Sequence, residues 1–384
     1  MPQTRIPATY IRGGTSKALV FNAADLPAER AEQDRIFLAT MGSPDPYGRQ
    51  LDGMGGGLSS LSKVCIVGPS THPEADVDYT KGQVQLREAR VDYASNCGNM
   101  SSAIGPFAVD EGLVKVDADG EALVRIYNTN TRKLIHARFE VKGGKAEVDG
   151  DLAIPGVGGT GAPVRLDFLE PGGASTGQLL PTGQVQQDLV VEGHGTFRVS
   201  MVDAANACVF LRAADIGLTG TEMPEEIERV PGLLDKLGAI RCAASVAMGI
   251  TADVEAAKKK SIPIIGFVAP ARPAKLLNGE SITAEQVDIS ARMLSNGQPH
   301  RALPLTASLC LAVAARLEGS VVHENTRAGA SDRLAIGMPS GILVADAAVG
   351  RREGAWFAER VTLLRTQRRL FDGFVYARGP ALAS

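Results

Sequence analysis

Two residues of this chain, Cys97 and Lys63, have surroundings that suit proton-transfer chemistry. Cys97 lies in the tetrapeptide Asn-Cys-Gly-Asn at residues 96–99, directly before a stretch that is predicted to be helical. At a helix N terminus a thiol meets unpaired backbone N–H groups and the positive end of the helix dipole, which makes it easier to ionise. Lys63 ends a loop of small residues, and functional side chains concentrate on such loops. We therefore expect the two side chains to act as an acid and base pair.

The overall composition excludes several functional classes. The chain has 384 residues, a formal net charge of −3 and only 5% aromatic residues. It therefore lacks both the positive field and the aromatic platform that are typical of nucleic-acid-binding proteins. No apolar run approaches the ~18 residues of a membrane-spanning helix, and residues 1–7 contain no apolar signal segment. We expect neither a nucleic acid nor a membrane among the partners.

The cysteine and histidine patterns indicate a cytoplasmic protein without a metal or a cofactor. The five cysteines are scattered and contain no Cys-x-x-Cys pair, which is typical of a reducing compartment. The five histidines are far apart and lack metal-ligand spacing, and the glycine run at 53–57 lacks the spacing of a nucleotide-binding loop. Apart from Cys97, the cysteines are expected to be core residues, namely Cys65, Cys208, Cys242 and Cys310.

The apolar pattern predicts an α/β fold made of two similar β-rich halves. Each half contains one markedly apolar helix, at 99–111 and at 305–317, and we expect each half to wrap around its helix. Further predicted helices cover 28–41, 224–238 with a break at Pro231, and 283–294.

A stretch rich in Gly, Pro and Thr, at 156–183, marks the predicted junction between the halves. We place the boundary after Gly183, so that the domains cover 1–183 and 184–384. Because ligand sites favour the interface between such domains, the active site is expected in a cleft between them.

A set of short motifs in a fixed order resembles one protein family. The set comprises Arg-Gly-Gly-Thr-Ser-Lys at 12–17, Gly-Ser-Pro-Asp at 42–45, Ser-Ser-Leu-Ser-Lys at 59–63, Asp-Val-Asp-Tyr at 76–79, Asn-Cys-Gly-Asn at 96–99, Leu-Pro-Thr-Gly at 180–183 and Pro-Ser-Gly at 339–341. In these motifs the chain is similar to the PrpF family, from about residue 6 to about residue 378. That family includes 2-methylaconitate cis-trans isomerases, methylitaconate Δ-isomerases and 4-oxalomesaconate tautomerases. The resemblance implies the diaminopimelate epimerase fold and an isomerase that uses no cofactor.

The resemblance also implies the catalytic roles. The family's acid and base pair corresponds to Lys63 and Cys97 here. Epimerases with this fold carry a second catalytic cysteine in the other half, but Pro304 aligns with it, and Cys310 lies one to two helical turns too late. This favours a mechanism with one cysteine and one lysine. The implied reaction removes a proton beside an unsaturated carboxylate and returns one at the other end of the allyl system.

The carboxylate groups of such a substrate need hydrogen-bond donors. Asn206 lies in a loop that resembles a substrate-contacting loop of the epimerase fold. The full set of candidate binding residues is Arg12, Thr15, Ser16, Ser62, Asn96, Gly98, Asn99, Asn206, Thr306, Ser340 and Gly341.

The sequence leaves the substrate and two alternative functions open. Residues 44–48 resemble the 2-methylaconitate branch, whereas 68–73 and 128–131 resemble the methylitaconate branch. An amino-acid racemase or epimerase would need a second active thiol. A non-catalytic accessory protein would bind such acids without exchanging a proton. The oligomeric state, a homodimer included, also stays open.

Overall fold

The computed structural model of the chain combines many short strands with fewer helices, and it describes residues 3–94, 97–295, 297–329 and 333–378. The α-helices are α1 (Arg30–Met41), α2 (Gly98–Asp110), α3 (Pro224–Arg229), α4 (Leu233–Ala247), α5 (Val254–Lys258), α6 (Leu305–Ala314) and α7 (Val321–Asn325). The first strands are β1 (Thr4–Gly13), β2 (Ser16–Asn22), β3 (Lys63–Pro69), β4 (Val77–Val84), β5 (Val91–Asp92), β6 (Gly120–Asn128), β7 (Lys133–Lys142), β8 (Lys145–Ala146), β9 (Val164–Leu169) and β10 (Gln187–Val191). The remaining strands are β11 (Gly195–Ala204), β12 (Asn206–Arg212), β13 (Ile264–Pro270), β14 (Ala274–Lys275), β15 (Ser281–Ile282), β16 (Ile289–Ser295), β17 (Gln298–Pro299), β18 (Arg333–Met338), β19 (Gly341–Arg352), β20 (Ala355–Arg365) and β21 (Gln367–Ala377).

The chain divides into two compact units. Unit 1 comprises Met1–Ala153, Val157–Leu166 and Leu364–Ser384, and unit 2 comprises Ile154–Gly156 and Asp167–Leu363. This division falls earlier than the predicted boundary after Gly183. The C-terminal segment, from Leu364 onward, belongs to unit 1 and not to unit 2, because β21 pairs with β1 in antiparallel register. Composition marks flexible stretches, but it does not show which distant strands pair.

Unit 1 contains a mixed sheet that surrounds α2. The β1–β2 hairpin is followed by α1, which crosses to the parallel neighbour β3. β4 pairs antiparallel with β3, and α2 lies on the crossover from β4 to its parallel neighbour β6. β7 then pairs antiparallel with β6.

Unit 2 repeats this order of pairings around α6. Its hairpin is β11–β12, and α4 lies on the crossover to the parallel neighbour β13. β16 pairs antiparallel with β13, α6 lies on the crossover to the parallel neighbour β18, and β19 pairs antiparallel with β18. The predicted fold, with two pseudo-symmetric α/β halves each built on a central helix, is therefore confirmed.

The two central helices form where the apolar sequence predicted them. In α2 every residue from Gly98 to Val109 is buried, and in α6 all of Leu305–Ala314 is buried. Small residues allow α2 to approach the sheet closely. A Cβ atom at Gly105 would lie 2.8 Å from the ring of Phe139 and 3.0 Å from the Ala137 methyl group on β7.

The other predicted helices are confirmed in two of three cases. Helix α1 ends at Gly42, whose φ of +73° is the left-handed conformation that glycine favours. The break predicted at Pro231 separates α3 from α4.

The helix predicted at 283–294 is wrong. Thr283 and Gln286 do form a capping box, but it closes only a single 3-10 turn. The chain then enters β16, since an alternation of apolar residues with period two outweighs the helix-start signal. The buried apolar side chains at every second position are Val287, Ile289, Ala291 and Met293.

The close packing of α2 predicts opposite effects for two glycine substitutions in helices. Gly105→Ala should lower the free energy of unfolding by about 1–3 kcal/mol, because the new methyl group overlaps Phe139 and Ala137. Gly238→Ala in α4 is the matched control, since a Cβ atom there meets no atom within 4 Å. This control should instead raise the stability by about 0.5–1 kcal/mol. Urea denaturation measures both changes, and equal effects at the two sites would contradict the packing described for α2.

Candidate active site

Two neighbouring strands of unit 1 place Lys63 among buried polar groups. In the antiparallel register of β3 and β4, Lys63 lies opposite Gln83 and Cys65 lies opposite Lys81. Residues that lie directly opposite share a face of the sheet, as do residues two apart, so these four side chains occupy one face. Lys63 is only 8% exposed, and its Nζ donates a hydrogen bond to Oε1 of Gln83 at 2.5 Å.

Gln83 is held so that its oxygen faces this lysine. Its Nε2 donates to the backbone carbonyls of Ser59 and Ser62, at 3.0 Å and 2.8 Å. The amide oxygen is thereby left to accept from Lys63. The loop before β3 therefore positions the Lys63 ammonium through its own backbone and through Gln83.

Cys97 lies at the N-cap of α2, as the sequence predicted, and is 8% exposed. Tyr79 connects it to the face of β3 and β4 that carries Lys63. The Tyr79 hydroxyl donates to the carbonyl oxygen of Cys97 at 3.5 Å, and Sγ of Cys65 lies 3.9 Å from that hydroxyl. The N terminus of α2, which carries the Cys97 thiol, and the side chains on this face of β3 and β4 are thus parts of one buried cluster.

Lys81 is a member of this cluster that sequence analysis missed. It is 2% exposed, and its pKa is lowered to about 8, first by burial and then by the charge of Lys63. Negative charge on Cys97 or Asp92 acts in the opposite direction. Lys81 therefore lies within electrostatic reach of both predicted catalytic residues. The alternation of side chains along β4 could have predicted this position, because Val77 and Tyr79 point to the buried face and residue 81 follows them on that face.

Two further side chains of the cluster, those of Cys65 and Tyr79, are fully buried. Burial raises the pKa of Cys65 to about 12 and raises that of Tyr79 well above its usual value. Both groups therefore remain protonated near neutral pH. The four cysteines that were expected to be core residues are all buried free thiols, as predicted.

A second network in unit 1 connects the β1–β2 hairpin to the first turn of α2. Asn99 donates from Nδ2 to Oγ1 of Thr15 at 3.1 Å, and its Oδ1 accepts from the Thr15 backbone N–H at 3.4 Å. The same oxygen accepts from Nε of Arg365 at 3.2 Å. Arg365 was not predicted as a site residue. Its inward position at the end of β20 follows the alternation of the buried residues Val361 and Leu363.

The other candidates of unit 1 differ in how they are engaged. Arg12 donates from Nη1 to the carbonyl oxygens of Gly14 and Thr366, and the Ser62 hydroxyl bridges Gln50 and the backbone of Val84. These two side chains therefore hold loops in place. Ser16 is buried at the hairpin, where its hydroxyl forms no hydrogen bond to a described residue. Asn96 lies outside the described residues.

Unit 2 carries the remaining candidates. Nδ2 of Asn206, the first residue of β12, donates to Oγ1 of Thr306 in the first turn of α6 at 3.4 Å. This contact parallels that between Thr15 and Asn99 in unit 1. Ser340 lies in the turn between β18 and β19, and Gly341 is the first residue of β19. The Ser340 hydroxyl is buried without a hydrogen bond within the described chain.

The N terminus of α6 carries no thiol. Pro304 is the N-cap residue, the place that Cys97 occupies in α2. Cys310 lies in the middle of α6, and its Sγ donates to the carbonyl of Val202 at 3.3 Å. Unit 2 therefore lacks a cysteine at the position that corresponds to Cys97.

The described ranges of the chain hold neither a metal-binding cluster nor a membrane-spanning helix. Within them, no group of three or more His, Cys, Asp or Glu side chains is arranged to hold a metal ion. None of the helices described there is long and apolar enough to cross a membrane.

The network around Asn99 predicts that Gly14 tolerates no side chain. Gly14 has a φ of +52°, and a Cβ atom there would lie 2.2 Å from Oδ1 of Asn99. Gly143→Ala is the matched control, because its φ is +58° but its Cβ atom would meet nothing within 4 Å. Both variants carry similar backbone strain. Gly14→Ala should therefore lower the free energy of unfolding by about 1–3 kcal/mol more than Gly143→Ala, because only its methyl group is overpacked. Chemical denaturation tests this, and equal losses would contradict the proposed contact.

Burial of Lys81 predicts a dependence of stability on pH. The pKa falls from 10.5 in the unfolded chain to about 8 in the folded protein, so between these values the unfolded state binds more protons. Stability due to this group therefore rises as the pH increases from 8 to 10.5, by about 3 kcal/mol in total. Lys81→Met should lack this contribution. The unfolding free energies of wild type and variant are measured from pH 7 to 10.5, and the value for the wild type should rise relative to that of the variant. A difference that stays constant over this range would contradict the lowered pKa of Lys81.

Comparison with known proteins places the chain in a family. The model of the family described as PrpF protein matches residues 3–378. A 3-methylitaconate isomerase of Eubacterium barkeri is 42% identical over 97% of both chains, and a 2-methyl-aconitate isomerase of Cupriavidus necator is 38% identical over 99% of both. The crystal structure of a methylitaconate-delta-isomerase superposes with a TM-score of 0.82 at 40% identity and covers all of both chains. This chain belongs to the PrpF family.

Proposed function

We propose that this protein is an isomerase that shifts a proton within a small unsaturated di- or tricarboxylate, with Lys63 and Cys97 as its acid and base pair. The observation that carries the proposal is the buried cluster in which Tyr79 joins the Cys97 end of α2 to the face of β3 and β4 that carries Lys63 and Lys81. The similarity to a 3-methylitaconate isomerase and a 2-methyl-aconitate isomerase supports the substrate class.

The chemistry needs one group that removes a proton and one that supplies it. The base takes a proton from a saturated carbon next to the double bond, and the electron pair of the C–H bond spreads into a dienolate that ends on a carboxylate. The acid then gives a proton to the far carbon of the allyl system, where a new C–H bond forms as the double bond moves. No electron is gained or lost overall. The thiol and the ammonium exchange one proton between turnovers, and either assignment of acid and base balances.

Preorganised groups make such a pair effective. Lys63 is fixed by its bond to Gln83, and Cys97 is fixed at the start of a fully packed helix. Positioned proton transfer contributes roughly 10²–10⁴-fold to a rate, and donors at the developing negative charge contribute further. The N–H groups of Gly98 and Asn99, at the first turn of α2, are candidates for that second role.

We also propose a cytoplasmic location. All five cysteines are free thiols, including Cys208 and Cys310, whose side chains lie close enough to interact. Thiols persist in this state in a reducing compartment.

The direct test is proton NMR in D₂O with a panel of acids. The panel contains 3-methylitaconate, dimethylmaleate, 2-methylaconitate, cis- and trans-aconitate and 4-oxalomesaconate. We expect at least one acid to be converted, with deuterium at an allylic carbon. Conversion of none, together with no deuterium entry, would contradict the isomerase function, and binding without exchange would favour an accessory protein.

The catalytic pair is tested by two substitutions, each with a control of the same chemistry. Cys97→Ser and Lys63→Met should each lower kcat by about 10²-fold or more, because each removes one proton-transfer group. Cys242→Ser replaces a buried thiol in α4, and Lys142→Met removes an exposed lysine of β7, so both should retain the wild-type rate. Full activity of the Cys97 or Lys63 variant would exclude that residue from the pair.

A further inference from the structure

Arg365 is a buried cation that pairs with no carboxylate of the described residues. It is 6% exposed, and burial lowers its pKa to about 10, with no charged group contributing to the shift. Its Nε donates to Asn99, and its Nη1 donates to the carbonyl oxygen of Leu364 at 2.9 Å. Neither acceptor is charged. No acidic side chain of the described residues forms an ion pair with it, although a buried charge of this kind is unfavourable by several kcal/mol unless it is paired.

Arg292 in unit 2 shows what a structural buried arginine looks like in the same protein. It is 2% exposed, and the carboxylates of Glu222 and Glu226 lie near enough to favour its charged form. Its guanidinium is engaged by the backbone carbonyls of Glu222, Ala291 and Gly337. Among the described residues, Arg365 has no acidic neighbour of this kind, and it has two hydrogen-bond acceptors where Arg292 has three.

The N terminus of α2 is a second positive group beside Arg365. Asn99, which binds Arg365, is the second residue of this helix. The backbone N–H groups of Gly98, Asn99 and Met100 donate to no acceptor in the described parts of the chain, and the first turn carries no acidic residue. These residues are buried, so bulk water does not accept hydrogen bonds from their N–H groups. The positive end of the helix and a guanidinium therefore converge, and neither is paired with an acidic side chain of the described residues.

The geometry of Arg365 is fixed in a way that leaves donors available. Asn99 holds Nε, and Thr15 in turn holds the Asn99 amide through two hydrogen bonds. A guanidinium has five N–H donors, and the described residues accept from two of them, which leaves three without a described acceptor. An arginine with donors left over matches the paired oxygens of a carboxylate.

We propose that Arg365 is a substrate-binding residue that pairs with a carboxylate of the substrate held at the N terminus of α2. This inference rests on the proposed isomerase function. Because Cys97 directly precedes that N terminus, the carboxylate held there is the one attached to the reacting carbons. Negative charge grows on this group as the dienolate forms, so Arg365 stabilises the transition state more than the bound substrate.

The test compares Arg365→Met with Arg365→Lys, and it uses Arg360→Met as the matched control. Arg360 is an exposed arginine on the same strand. Arg365→Met should lower kcat/KM for the converted acid by about 10²-fold, since charge-assisted hydrogen bonds are lost. Arg365→Lys should recover part of this loss, and Arg360→Met should match the wild type. The melting temperature of the Arg365→Met protein should stay the same or rise, because an uncompensated buried charge is removed; a purely structural arginine would lower it.

A second readout does not depend on turnover. Succinate, a saturated dicarboxylate that cannot be isomerised, should raise the melting temperature of the wild type and of Arg360→Met but not that of Arg365→Met. Wild-type kcat/KM and an unchanged succinate effect in Arg365→Met would overturn the role of Arg365 and leave the isomerase function intact. If the wild type converts no acid, the proposed function fails, and the succinate effect still decides the role of Arg365: its loss in Arg365→Met supports that role and its retention overturns it.

Discussion

Unit 1 depends on the burial of α2 from its first residue to its twelfth. A helix in this position offers its sides to apolar neighbours, but its N terminus ends in N–H groups that the interior must satisfy. In a surface helix, water or an exposed side chain does this. Here the helix start is closed in by β3, β4, the β1–β2 hairpin and the end of β20, and polar groups from these strands surround it.

Three cationic side chains are buried in the described part of unit 1. Lys63, Lys81 and Arg365 each place a positive group in a buried position, although like charges repel and burial disfavours them. A protein under selection for stability alone would replace such residues by apolar ones of similar volume. Their burial lowers the stability of this unit, and an anionic ligand at the N terminus of α2 would offset part of that loss. Burial also keeps the Cys65 thiol and the Tyr79 hydroxyl neutral, so few groups of this cluster can exchange a proton near neutral pH.

Local patterns predicted those parts of the structure that depend on near neighbours in the chain. The start of α2 at Cys97, the end of α1 at Gly42 and the break at Pro231 each follow from residues within one helical turn. Lys81 and Arg365 were missed because their importance depends on strand register. Arg365 reaches Asn99 across 266 positions, and no local pattern reports such a contact. The wrong helix at 283–294 has the reverse cause, because a real helix-start signal was followed by a strand pattern that the larger sheet requires.

The return of β21 to β1 affects the order in which the protein can be built. Unit 2 is complete once the ribosome has added Leu363, whereas unit 1 still lacks Arg365 and its edge strand. Because domains fold as units during synthesis, the inserted unit can fold while the unit that carries Lys63 and Cys97 is still open. Until β21 emerges, the β1 edge remains unpaired on that side, which is the state in which a sheet is most exposed to pairing with the wrong partner. The unit whose synthesis starts first is thus finished last.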